Sequence, residues 1–354
     1  MKKLRLTVTI LVAAVMLPLL ARTGQTTTTQ KPSSPNRLKV GLVLGGGGAK
    51  GAAEVGILKY LEQSGIHVDY IAGTSIGSIV GGLWACGYKA SQLDSMFRSQ
   101  EWLDLLSDRN AVHGKKIFSM ENGTPYIFGF PIGKQPAMEK ANTGIGAIRG
   151  DNIVTLLDSM VACAPKRNHL MSNGLPLSAD ICDSLSFDEL PTPFRCVAVD
   201  IKGYREVVLS SGSLPVAMRA SMAIPGVFKT VNYEGMTLVD GGMLNNLPVD
   251  VVREMGADIV IAIDLTQNKP EDRTFSLRDM LGVGGLLDWA ISRPDIAKYN
   301  ANRKDCDLYI NPDLGDFEAL SFSAEKIKKM IAIGEEIGKK YLPEMRKLRK
   351  RVEK

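Results

Sequence analysis

Ile71-Ala72-Gly73-Thr74-Ser75-Ile76-Gly77 closes an apolar run, Val68 to Ala72, and opens a helix predicted over Ile76 to Cys86. This is the setting of a nucleophile elbow. A serine on a tight strand-to-helix turn is held in a strained backbone conformation, so the residues two positions to either side must lack a β-carbon. Gly73 and Gly77 meet that demand. The Ser75 hydroxyl would also lie at a helix N-terminus, where unpaired N–H groups favour developing negative charge. Taken alone the pattern is weak. The chain holds 35 glycines in 354 residues, so a glycine-padded turn before a tightly packed helix explains it equally well.

Upstream, Leu38 to Leu44 reads as a buried strand running into Gly45-Gly46-Gly47-Gly48-Ala49-Lys50-Gly51 and then a helix. Consecutive glycines turn the chain with its N–H groups facing an anion, either a phosphate or the oxyanion of a tetrahedral intermediate. Gly46, Gly48 and Gly51 also satisfy Gly-x-Gly-x-x-Gly, which keeps a dinucleotide site open as a rival. A P-loop fits worse, because Lys50 follows Ala49 and Gly51 stands where a serine or threonine would hold magnesium. A ribose-binding acid is expected at the carboxyl end of the next strand, yet Asp69 lies at that strand's start and Thr74 and Ser75 at its end. In an open parallel sheet the two strand ends would bring the Gly46 to Gly48 amides towards Ser75, an arrangement suited to acyl transfer. One such donor contributes about 2.7 to 4 kcal/mol to a transition state.

Downstream, Leu238-Val239-Asp240-Gly241-Gly242-Met243 is a short apolar strand ending in a carboxylate and two glycines. Asp240 in hydrogen-bond reach of Ser75 could take its proton directly; an Asx turn is the plainer reading. His67, His113 and His169 lack any strand-end context and read as surface or loop residues. Asp264, closing the strand predicted over Ile259 to Asp264, has a weaker claim as a second carboxylate.

Together these three ordered motifs resemble the patatin-like phospholipases, from about Leu38 to Leu265, with Arg219 to Phe228 similar to a further block of that family. The resemblance implies a three-layer α/β/α sandwich with a mostly parallel central sheet, which the alternation of strands and helices also suggests. It implies Ser75 as nucleophile, Asp240 as base and the amides of Gly46, Gly47 and Gly48 as oxyanion donors. Gly45, Lys50, Gly51, Gly73, Gly77, Gly241 and Gly242 then serve as motif support. Lys50 stands where many members carry arginine and keeps the positive charge without the planar fork. The implied activity is hydrolysis of phospholipid or related acyl esters without metal or cofactor. A general carboxylesterase, an acyltransferase and a non-catalytic dinucleotide- or lipid-binding protein stay open as alternatives.

Met1 to Ala21, with Lys2, Lys3 and Arg5 before an apolar stretch to Leu20, looks like a secretory signal peptide and points to a secreted or periplasmic enzyme. Residues 22–37, rich in Thr, Gln, Pro and Ser, read as a disordered linker. The acyl hydrolase domain is predicted over 38–342, ending in a helix capped by Ser323, with a basic tail over 343–354. The net charge of +5 is carried by the two ends: three basic residues lie in Met1 to Ala21, and the tail holds six basic against two acidic. Peripheral contact with anionic headgroups is one use for such a tail. Nucleic-acid binding is unsupported, because no aromatics interleave the basic run.

Five cysteines are too few and scattered for a disulfide framework or metal site. Cys163 and Cys182 could bridge across a polar loop, while Cys86 and Cys196 read as packed hydrophobes. Between Ser107 and Leu190 the pattern loosens, apart from a helix predicted over Asp151 to Ala162, and Met160, Leu170 and Met171 are candidates to line an acyl site. A further helix is predicted over Leu277 to Ile291.

Overall fold

Strand β1 (Val40–Leu44) is buried along its whole length, as an apolar run in a parallel sheet covered on both faces must be. The computed structural model describes residues 37–107, 148–165, 185–266 and 296–354. The chain divides between Arg37 and Leu38, and the strands and helices among the described residues lie in the second unit, Leu38–Lys354.

An eight-stranded sheet organises that unit. Its strands after β1 are β2 (Tyr70–Thr74), β3 (Phe194–Asp200), β4 (Arg205–Leu209), β5 (Val231–Tyr233), β6 (Met236–Asp240), β7 (Ile259–Ile263) and β8 (Leu308–Ile310). The order is β5-β6-β3-β2-β1-β7-β8, with β4 also paired to β3. β3, β2, β1, β7 and β8 run parallel, in the register Leu42 to Ile71 and Leu42 to Ile261 across the centre. β4 and β6 are antiparallel to β3, so the sheet is mixed on one side.

The helices among the described residues are α1 (Gly51–Ser64), α2 (Ile76–Ala85), α3 (Ala90–Ser99), α4 (Trp102–Ser107), α5 (Asp151–Ala162), α6 (Leu214–Ser221), α7 (Val249–Glu254), α8 (Ile296–Asp305) and α9 (Ala324–Val352). Residue alternation along the strands sorts them into layers. Val40, Leu42 and Leu44 join one core with α1, α2, α3, α6 and α9. Val43, Val197, Val260 and Ala262 face the other way onto α7, with Tyr299 of α8 at its edge. The result is the expected three-layer α/β/α arrangement.

Leu277 to Ile291 lies outside the described residues. The C-terminal helix begins as expected, with Ser323 accepting from the Lys326 N–H. The helix extends past Leu342: α9 runs on through Pro343 to Val352 and carries the basic run. An interior proline costs a helix one ladder bond. Met345 and Val352 beyond it are buried in the main core, which holds the last turns in place.

Candidate active site

β1 and β2 are neighbours and parallel, so their carboxyl ends deliver the glycine loop and the serine turn to the same edge of the sheet. Ser75 follows β2 with φ 55° and ψ −125°, outside the ordinary regions for an L-residue. A β-carbon at Gly73 would collide with the Gly77 main chain, and one at Gly77 with the Leu44 carbonyl. Both glycines are therefore required by backbone packed on backbone, as the elbow reading demanded.

The strain is held by its surroundings. The Ser75 N–H donates to Ser221 Oγ at 2.8 Å, and Ser221 in turn donates to the Val197 carbonyl at 2.6 Å. Thr74 Oγ1 donates to the Asn245 carbonyl at 2.8 Å, tying the end of β2 to the loop after β6. The Asp240 N–H donates to the Ala223 carbonyl at 2.9 Å. Residues 219–228 thus brace both Ser75 and Asp240, and buried Arg219 locks the block by donating to the carbonyls of Arg149 and Lys229.

Ser75 and Asp240, 165 positions apart, meet: Ser75 Oγ donates to Asp240 Oδ2 at 2.8 Å, and both residues are buried. The Asx turn is present as well, since Asp240 Oδ1 accepts from the Gly242 N–H at 2.7 Å. One carboxylate oxygen fixes the turn and the other holds the serine. Burial pushes the Asp240 carboxyl up to about 6, against the opposing pull of the Gly242 N–H and the Ser75 hydroxyl.

The glycine loop corrects one expectation. The Gly46 N–H is committed to the Asn246 carbonyl at 3.2 Å, and that of Gly45 to Ile263 at 3.0 Å. The N–H groups of Gly47 and Gly48 have no acceptor among the described residues. Two of the three expected donors therefore remain. The third fastens the loop, because its position between the Ser75 turn and Asn246 leaves the amide facing the latter. Lys50 closes a short 3-10 turn with Gly48 and Ala49.

The other carboxylates and histidines lie elsewhere. Asp69 Oδ2 accepts from the Val40 N–H at 2.8 Å, at the opposite end of the strands from the glycine loop. That is the wrong end for a ribose contact. His67 is largely exposed near Asp69, while His113 and His169 lie outside the described residues. Asp264 accepts from the hydroxyls of Tyr299 and Tyr309 and the N–H of Thr266, which makes it an anchor between β7, β8 and α8. Cys86 and Cys196 are buried as expected. Cys182 falls outside the described residues, so the Cys163–Cys182 pairing does too.

An apolar cavity of about 150 Å³ opens beside Ser75, walled by residues including Ile76, Ile79, Trp102, Ile153, Phe228 and Phe322. Leu103 and Leu320 border it and are themselves exposed, at 61% and 42%. Met160 is buried but is not among the lining residues, and its carbonyl accepts from Tyr88. Leu170 and Met171 lie outside the described residues. Ser221 and Asn246 were not singled out from the sequence. The available signal was a buried polar pair, Asn245-Asn246, between Leu244 and Leu247.

A serine elbow at the end of a parallel strand, hydrogen-bonded to a buried carboxylate at the end of another strand of a mixed sheet, defines the class of α/β protein to which the chain is to be compared. The sequence profile of the family described as patatin-like phospholipase matches residues 42–253, and the chain belongs to that family. It is 31% identical over 237 residues to patatin-like phospholipase domain-containing protein 7 of Mus musculus, covering 66% of this chain and 14% of that protein. It is 27% identical over 334 residues to lysophospholipase nte1 of Aspergillus niger, covering 87% of this chain and 18% of that one. The chain thus spans less than a fifth of the length of either relative. Among solved structures, VipD from Legionella pneumophila aligns with 87% of this chain and 67% of its own, at 15% identity and a TM-score of 0.48.

Proposed function

We propose that this protein hydrolyses carboxylic esters of phospholipids or related acyl lipids through a Ser75–Asp240 dyad. The observation that carries the reading is the 2.8 Å hydrogen bond from Ser75 Oγ to the buried Asp240 carboxylate, made from a strained elbow beside an apolar cavity. Ionised Asp240 takes the hydroxyl proton as Ser75 Oγ attacks the ester carbonyl. The carbonyl oxygen, now negative, is received by the N–H groups of Gly47 and Gly48. The acyl chain occupies the apolar cavity, while the alcohol leaves with the proton from Asp240. Water then attacks the acyl-enzyme, with Asp240 again as base, and releases the acid and the free serine. Family membership supports the lipid acyl substrate, as does the name lysophospholipase borne by the Aspergillus relative.

A fluorophosphonate probe tests the reading. Covalent labelling of wild type at Ser75, lost in Ser75→Ala, together with fatty acid release from mixed phospholipid vesicles, is the expected result. Unlabelled wild type, or Ser75→Ala with undiminished esterase activity, rejects it. Labelling and turnover of simple esters without phospholipid cleavage narrows the protein to a general carboxylesterase.

A further inference from the structure

Leu103, in the first turn of α4, and Leu320, in the loop before α9, line the cavity beside Ser75 and are nevertheless 61% and 42% exposed. Their neighbours Trp102 and Phe322 are buried in the same wall and pack on each other, with ring centroids 6.0 Å apart. Two segments far apart in sequence thus each bury an aromatic and leave a leucine in water at one opening. An exposed leucine by itself needs no explanation. A pair on the lip of an apolar cavity is different, because it continues the apolar surface from the nucleophile out to solvent.

The strongly basic end of the chain lies elsewhere. α1 joins the carboxyl end of β1 to the amino end of its parallel neighbour β2, so it runs back across the sheet, and α9 follows it in the same direction. Gly334 lies against Ala53, Gly338 against Tyr60 and Arg349 against Gly65. α9 therefore leaves the cavity just after Phe322 and, at about 1.5 Å per residue, has travelled roughly 40 Å by Arg351. There Arg351 pairs with Asp307 at 3.3 Å, and the other oxygen of Asp307 accepts from the Val260 N–H near the start of β7. Ser75 stands at the carboxyl edge of the sheet and the basic run at the amino edge, so a contact made at the mouth of the cavity does not draw on that charge.

We propose that Leu103 and Leu320 are the contact with the surface of a lipid aggregate, seating the mouth of the cavity in it so that an acyl chain reaches Ser75 without crossing water; this rests on the lipid acyl hydrolase reading of the site. The occupant is lipid because the opening these leucines border is the acyl chain's own way in. A second copy of the chain or a protein partner seated on them would close it. Each leucine that enters the aggregate is removed from water, and the acyl chain passes from one apolar phase to another. A contact of this kind is indifferent to headgroup charge and to salt, unlike one made by the basic run.

The test presents one substrate in two states. Full-length protein hydrolyses diheptanoylphosphatidylcholine below and above its critical micelle concentration, and heptanoic acid is quantified by mass spectrometry. The rate above that concentration should exceed the value extrapolated from monomers about tenfold or more, and the rise should persist in about 0.5 M NaCl. Leu103→Asp combined with Leu320→Asp should remove the rise, monomer hydrolysis by the same variant reporting how much working site it holds. Leu103→Ser with Leu320→Ser gives the same reading if the aspartates also stop monomer hydrolysis. Arg346→Glu, Lys347→Glu and Lys350→Glu together should leave the rise in place. A wild type without a rise, or a rise that survives in the leucine variants, overturns the proposal. So does a rise lost in salt or in the charge-reversed protein, which moves the contact to the end of α9. A wild type that cleaves the lipid in neither state fails the lipid acyl hydrolase reading itself, which separates the two outcomes.

Discussion

Replacing Asp240 by asparagine should abolish turnover and make the protein more stable, and the gain should appear only above acid pH. The group lies buried at about 6 in the folded chain against 3.8 unperturbed. Between those values the folded state holds a proton that the unfolded state has released, so stability falls as pH rises through the window. Below about 3.8 both states are protonated and the group costs nothing. Above 6 the cost is complete, and a shift of about two units corresponds to about 3 kcal/mol. Asparagine keeps the acceptor for the Gly242 N–H and cannot ionise. Its amide can donate to Ser75 Oγ, so the contact made by the aspartate need not be lost. Urea unfolding at pH 8 should show the variant more stable by up to ~3 kcal/mol, with the difference closing at pH 4. Equal stability of the two proteins at pH 8, or a gain that persists undiminished at pH 4, would show that burial does not penalise the Asp240 charge in the folded chain. Residual esterase activity would show that another base serves Ser75.

Activity should itself titrate on Asp240: kcat/KM for a soluble ester is expected to rise with pH to a plateau, half-maximal near 6, and a profile flat from pH 5 to 8 contradicts the assignment of the base. Glu54, fully buried on α1 with Asp264 nearby, is held well above the usual carboxylate range chiefly by burial. Glu54→Gln should therefore stabilise the fold increasingly as pH rises above the unperturbed value, and urea midpoints that differ equally at pH 5 and pH 8 refute that. The apolar cavity measures about 150 Å³. Ile153→Trp, which fills it, should lower kcat/KM for a p-nitrophenyl octanoate at least about tenfold more than for the acetate, at a stability cost of about 1–3 kcal/mol; equal losses on both esters would place the acyl chain elsewhere. Gly77→Ala drives a methyl into the Leu44 carbonyl and should leave little folded protein by thermal melting, whereas a wild-type melt means the elbow can relax.

What could be read from the sequence was what sterics impose locally. Gly73 and Gly77 flank Ser75 because no β-carbon fits between Leu44, Gly77 and Ser78, and that demand leaves its mark on residue type. The parallel strands announced themselves as unbroken apolar runs, since both faces of β1 and β7 are buried. β5 and β8, three residues each, offered no comparable run and owe their existence to the neighbours they pair with. Which amide of the glycine loop faces the site was equally illegible: four identical residues give no hint that Gly46 is committed to Asn246 while Gly47 and Gly48 are not. The end of α9 was illegible for a related reason: the burial of Met345 and Val352, which holds the helix beyond Leu342, is a tertiary fact that leaves no local mark.

The same asymmetry separates the reacting groups from those that hold them. Ser75 and Asp240 sit in motifs because each needs a special backbone, an elbow for one and an Asx turn for the other. Ser221, Asn245 and Asn246 need no special backbone. Their work is to satisfy groups that the elbow and the glycine loop leave unpaired, and any small polar residue reaching the right point could do so on paper. Such residues betray themselves only by being polar where everything around them is buried. Asn246 stands apart from the other two because its main chain and Nδ2 already complete the bracing, leaving Oδ1 with no structural task among the described residues.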